Sequence, residues 1–116
     1  MTYLGTVLVT TPRMEELGAW YAAVLQLGAW ERMEGYMGQK VGEVWFGFAD
    51  GEAEGRGGRT VAWFHVDDVP AACDRAAAAG TTVVEPPALN EFGYELACVE
   101  DPDGNRVGLA RRAATS

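Results

Sequence analysis

The chain is poor in the residues from which most active sites are built. Among its 116 residues it has one histidine, His65, one lysine, Lys40, and two cysteines, Cys73 and Cys98. Neither cysteine stands in a CxxC or Cys/His spacing, so neither a zinc site nor a redox pair is indicated; their Ala-rich and apolar surroundings suit small core residues. No apolar run approaches the roughly 18 residues of a membrane-spanning helix. The opening Met1-Thr2-Tyr3-Leu4 lacks a basic region leading into an apolar one, so the expectation is a soluble, cytoplasmic protein without a membrane partner. Positive charge is scarce too. Nine Lys and Arg against 17 Asp and Glu leave a net charge of −8, which disfavours a grip on phosphate backbones, and nucleic acid is not an expected partner. No nucleophile elbow, phosphate-cradling glycine loop or Ser/His/Asp arrangement is evident.

What the chain does have is a core. Apolar residues make up 48%, too many for a disordered chain, and the length suits a single domain over residues 1–116. Tyr3 to Thr10 is β-branched and apolar, as in a strand, and Thr11-Pro12 offers a cap with proline at the first helical position. Met14, Leu17, Tyr21 and Val24/Leu25 then recur at helical spacing as far as Gly28. Trp30 to Glu34, Gln39 to Val41 and Glu43 to Phe48 are short strand-like pieces. This first half, residues 1 to about 50, reads β-α-β-β-β.

A polar, glycine-rich connector follows at 51–58, and the order begins again over residues 59–116. Arg59 to Val66 reads as a strand, and Asp67-Asp68 caps a helix from about Val69 to Ala79 that Gly80 closes. Thr81 to Glu85, ended by Pro86-Pro87, Tyr94 to Glu100, and Arg106 to Ala110 after the turn Asp101 to Asn105 complete the second β-α-β-β-β. The fold class is therefore α+β. Each module has a helix on only one face of its sheet, and paired helix-free faces would curve into a trough able to enclose a ligand.

The repeated order, with Trp20 to Gly28 (WYAAVLQLG), His65 to Gly80 (HVDDVPAACDRAAAAG) and DPDGN, resembles the vicinal oxygen chelate superfamily of glyoxalases, bleomycin-resistance proteins and extradiol dioxygenases. Arg13 and Gln26 depart from the family pattern, which usually has Asp and Gly there. In the superfamily's enzymes, side chains from the first and last strand of each module hold a divalent metal. The resemblance places Thr6, Val61 and Gly108 at three of those positions, with Glu43 the remaining possible match. Valine and glycine supply no side-chain donor, so no metal and no other cofactor is expected. His65 lies four residues beyond Val61, roughly 13 Å along the strand, too far to substitute.

With Thr6 and Val61 facing the trough, strand parity turns Thr6, Leu8, Thr10, Val61, Trp63 and His65 inward, and leaves Val7, Val9, Ala62, Phe64 and Val66 against the helices. The same rule sends Glu43, Trp45 and Gly47, and Tyr94, Leu96 and Cys98, to the ligand side. Phe92, Trp30 and Tyr36 lie nearby in unassigned register. Gly47 and Gly108 would leave room for a guest. Flat rings bind flat ligands by offset stacking and also attract cations.

The run TVAWFHV (Thr60 to Val66) and the stretch from Phe92 to Asn105 are similar to the antibiotic-binding, bleomycin-resistance branch. That resemblance implies a domain-swapped homodimer and a non-enzymatic function: sequestering a planar aromatic or cationic natural product, such as a bleomycin-like, quinone or enediyne compound. The alternative is a metal-free or atypical lyase, isomerase or hydrolase of the same superfamily, with Glu43 and His65 as base and acid.

Overall fold

The computed structural model describes residues 1, 4–52 and 61–113. Two modules follow one another. The first comprises β1 (Thr6–Thr11), α1 (Met14–Leu25), β2 (Glu31–Met33), β3 (Tyr36–Val41) and β4 (Val44–Asp50). The second comprises β5 (Ala62–His65), α2 (Val69–Ala78), β6 (Val83–Leu89), β7 (Tyr94–Glu100) and β8 (Arg106–Arg112). Their sheets have the matching orders β1-β4-β3-β2 and β5-β8-β7-β6. In each, the first strand lies parallel to the last and the remaining pairs are antiparallel. The expected α+β fold of two βαβββ modules is what forms. Most of the 51–58 connector, with Tyr3, Arg59 and Thr60 of the expected strands, lies outside the described residues.

Both helices and the helix-facing side of both sheets share one core. Leu17, Tyr21, Val24, Phe46, Phe48, Val69, Cys73, Val99, Val107 and Leu109 are buried in it, and Val7, Val9, Phe64 and Val66 pack against it as parity requires, whereas Ala62, expected with them, is exposed at the start of the edge strand β5. Rings carry the contact between modules: Phe46 meets Phe64 edge to face at 5.2 Å, and Tyr21 lies 6.2 Å from Phe64. Trp30, unassigned by sequence, belongs here too. Its indole N–H donates to the Gly18 carbonyl at 3.0 Å and its ring lies 5.2 Å from Phe48. Cys73 and Cys98 are buried free thiols whose pKa burial raises.

Several boundaries differ from the sequence reading, each for a physical reason. Thr11 does not cap α1. Its hydroxyl donates to Asp103, 2.6 Å away in the β7–β8 turn, and accepts from the Arg13 N–H; the helix starts at Met14 with no side-chain cap. Asp68 caps α2 as expected, accepting from the Ala71 N–H at 2.9 Å. The strand expected to stop at Pro86 runs on to Leu89. It is an edge strand with two register shifts, where a missing N–H costs no ladder bond. Glu43 is not on β4 but in the preceding turn, where Gly42 takes a positive φ of 61°.

The turn from Asp101 to Asn105 ties the modules together. Asp101 is buried and accepts from the Tyr21 hydroxyl at 2.8 Å, from the backbone N–H groups of Asp103 and Asn105, and from the Asn105 side chain, each at 2.9 Å. Burial first, then the adjacent Asp101 charge, pushes the Tyr21 phenol far above its ordinary range. The folded chain therefore keeps a proton that the unfolded chain releases above about pH 10, so this contribution to stability is intact below that pH and lost as pH rises past it. The thermal midpoint should fall more steeply between roughly pH 9.5 and 11, the ordinary tyrosine titration range, in the native chain than in Tyr21→Phe. Parallel slopes would contradict the assignment.

Candidate functional site

The helix-free faces are where the unexplained side chains lie. On the first sheet, Thr6, Leu8 and Thr10 of β1 are exposed in the expected alternation, and register places Thr6 beside Trp45 and Leu8 beside Gly47. The Trp45 indole lies over Gly38 of β3, where an added Cβ would come within 2.5 Å of the ring, and its N–H donates to the Tyr36 hydroxyl. Gly47 leaves no pocket, because a Cβ there would overlap the Met37 carbonyl and approach the Gly38 Cα to 2.9 Å.

The second sheet repeats the device. Trp63 and Gly108 are register partners, and the indole lies over the glycine so closely that a Cβ on Gly108 would overlap the ring. The room expected above Gly108 thus holds the chain's own tryptophan, whose outer surface stays 48% exposed. Further along, Ala110 stands between His65 on β5 and Leu96 on β7. Its small side chain lets the His65 ring meet Tyr94 edge to face at 6.0 Å. The Arg112 guanidinium lies over the other side of this cluster, 5.7 Å from the Tyr94 ring centre.

Trp63 and His65 also border a cleft of about 520 Å³. It opens where the first sheet approaches the edge strand β5, with walls formed by Val7, Val44 and Phe46 from the first module and by Val61 to His65 from the second, so that much of its lining, Val7, Phe46 and Phe64 among it, belongs to the helix-facing side. Its size and mainly apolar lining fall within the range of small-molecule sites.

The structure therefore gathers Trp63, His65, Tyr94, Leu96 and Gly108 on one face and adds Val61 at its edge. Thr6, Leu8, Thr10 and Trp45 form a corresponding group on the other sheet. Glu43 is exposed in its turn, and Phe92 is 75% exposed at the tip of the β6–β7 hairpin, where Asn90 holds the backbone by accepting from the N–H groups of residues 92 and 94. Sequence reasoning missed Arg112. Ending the last strand at Ala110 hid it, whereas carrying the parity of Gly108 and Ala110 one step further puts it on this face.

A family model described as the glyoxalase/bleomycin resistance protein/dioxygenase superfamily matches residues 3–109. The chain belongs to that superfamily. No curated protein matches it. Among solved structures, a glyoxalase/bleomycin resistance protein from Albidiferax ferrireducens T118 has a TM-score of 0.79 at 22% identity, over 94% of this chain and 98% of that one. A family enzyme from Burkholderia phytofirmans PsJN has a TM-score of 0.77 at 21% identity, over 96% and 99%. A glyoxalase-related enzyme from Fulvimarina pelagi has a TM-score of 0.81 at 17% identity, over 96% and 88%. At these identities the similarity shows a shared fold.

A divalent ion, as the superfamily's enzymes hold, does not fit the residues present. Val61 and Gly108 carry no donor, Trp63 covers Gly108, and Glu43 stands in a turn rather than on the sheet. Among the described residues, no three His, Cys, Asp or Glu side chains are grouped so as to hold a metal. Nor is any helix among them long and apolar enough to cross a membrane.

Proposed function

We propose that this member of the superfamily binds a planar aromatic natural product, of the antibiotic kind, and releases it unchanged. The observation that carries the reading is the exposed Trp63 indole seated on Gly108, at the position where the superfamily's enzymes place a metal-binding carboxylate. An aromatic surface takes the place of a ligand to metal. His65 and Tyr94 extend it, and the apolar cleft beside β5 borders it at Trp63 and His65. Burying roughly 400 Å² of flat ligand against such rings yields about 10 kcal/mol before entropy costs, close to the 12 kcal/mol or so of a nanomolar complex.

A second copy of the chain would complete the site. The helix-free faces of the edge strands are open, with Leu8 at 49% exposure on β1 and Trp63 on β5, and each edge strand has one hydrogen-bonded neighbour. A swapped homodimer would set the first sheet of one chain against the second sheet of its partner and unite the two aromatic groups. Sedimentation equilibrium should then return twice the 12.5 kDa chain mass; a monomer at tens of micromolar would contradict the shared cleft.

The functional test is a thermal-shift screen of aromatic antibiotics, followed by mass spectrometry of the compound recovered from the complex. A stabilised protein and a ligand of unchanged mass support sequestration. A ligand of altered mass would show an atypical lyase, isomerase or hydrolase instead.

A further inference from the structure

We infer that the aromatic face selects ligands bearing an anionic group on the ring system, a carboxylate, a sulfonate or an ionised phenol, and that Arg112 is the residue that recognises it. The inference rests on the reading that this face binds planar aromatics.

Arg112 stands directly across from Tyr94 in the β7–β8 register, on the same side as Gly108 and Ala110. Its guanidinium lies over the Tyr94 ring, and the backbone beyond it is fixed by the Ala113 N–H donating to the Gly93 carbonyl at 2.8 Å. The three ion pairs among the described residues use Arg13 with Glu16 and Asp103, and Arg32 with Glu15. Arg112 takes part in none of them, and Asp67, in the turn beyond β5, forms no ion pair with it.

The carboxylates on this face lie at its other end. Glu100 faces Arg106, and Glu85 is the partner of Cys98. Arg106 is six residues from Arg112, about 20 Å along the strand. The Arg112 end of this face therefore presents a guanidinium, a phenol and an imidazole beside exposed rings, and the β7 carboxylate beside Tyr94, Glu95, stands across from Arg111 and by parity on the opposite face.

A planar guanidinium offers two parallel N–H donors to an oxyanion, and an aromatic acid seated along Trp63 and His65 would bring its anionic group to the one above Tyr94. The net charge of −8 opposes an anion at long range, but salt screens that field beyond about 8 Å, whereas the guanidinium acts at contact.

Three probes with the same ring and substitution position separate the possibilities: anthracenecarboxylate, anthracenemethanol and aminomethylanthracene, each titrated by quenching of tryptophan fluorescence. The carboxylate should bind at least about tenfold tighter than the amine. Arg112→Gln should weaken the carboxylate about tenfold and leave the alcohol within about twofold, with Arg112→Lys recovering part of the loss. Equal or tighter binding of the amine, or an equal loss for all three probes in Arg112→Gln, would overturn the assignment of Arg112 while leaving aromatic binding standing. Failure of all three to bind the native chain would overturn both.

Discussion

Gly108→Ala is expected to cost about 2 kcal/mol of ligand binding, near thirtyfold in affinity, while changing the stability of the free protein by less than about 1 kcal/mol. The added methyl occupies space now filled by the Trp63 ring, so the indole has to leave its seat. Because that ring is half exposed, it can swing into solvent at little cost to the core beneath. The ligand loses its flat platform, and losses of this size are typical when an aromatic anchor is removed. Titration of an aromatic probe against the native chain and the variant, with thermal melts in parallel, separates the two quantities. Unchanged affinity would mean that Trp63 is not the platform. Gly38→Ala makes the corresponding test of Trp45, where the methyl would come within 2.5 Å of the indole.

The second large effect concerns folding. Asp101→Ala should destabilise the chain by about 3–5 kcal/mol, enough to unfold a large share of a marginally stable domain. One buried carboxyl group satisfies the Tyr21 hydroxyl, two backbone N–H groups and the Asn105 amide. Removing it leaves Tyr21, itself only 3% exposed, with a hydroxyl that has no partner, and releases the turn that joins the second sheet to α1. Asp103→Ala is the control. Its carboxylate bonds to Thr11 and to the exposed Arg13, so its loss should cost about 1–2 kcal/mol. Chemical denaturation of both variants decides the order, and equal losses would contradict the central place given to Asp101.

The contrast between these two residues shows why the sequence was legible in some places and opaque in others. Alternation on β1, β5, β7 and β8 could be read from residue type, since a one-residue slip would expose every apolar side chain that the core takes up. Thr11 looked like a helix cap, and nothing local indicated that its hydroxyl would bond to a side chain 92 positions away. Trp30 went unassigned because its partner, the Gly18 carbonyl, belongs to a helix rather than to a strand. Pro86 and Pro87 looked like a strand end because the position of β6 at the sheet edge emerges only from the assembled topology.

The candidate site shows the same division. That Trp63, His65 and Tyr94 share a face followed from parity; that Gly108 seats an indole rather than leaving a vacancy depended on where a neighbouring strand directs its ring. Arg112 was hidden by a strand boundary drawn two residues too early. Glu43 looked like a strand residue until the positive φ of Gly42 placed it in a turn.

The claim at the centre is that exposed rings, rather than a coordinated ion, hold the ligand. Its most direct measurement is a tryptophan-fluorescence titration with anthracenemethanol in the presence of excess EDTA. Saturable quenching that the chelator leaves unchanged, and that Trp63→Ala abolishes, is the expected result. A flat titration, or quenching that appears only when a divalent metal is added back, would contradict it.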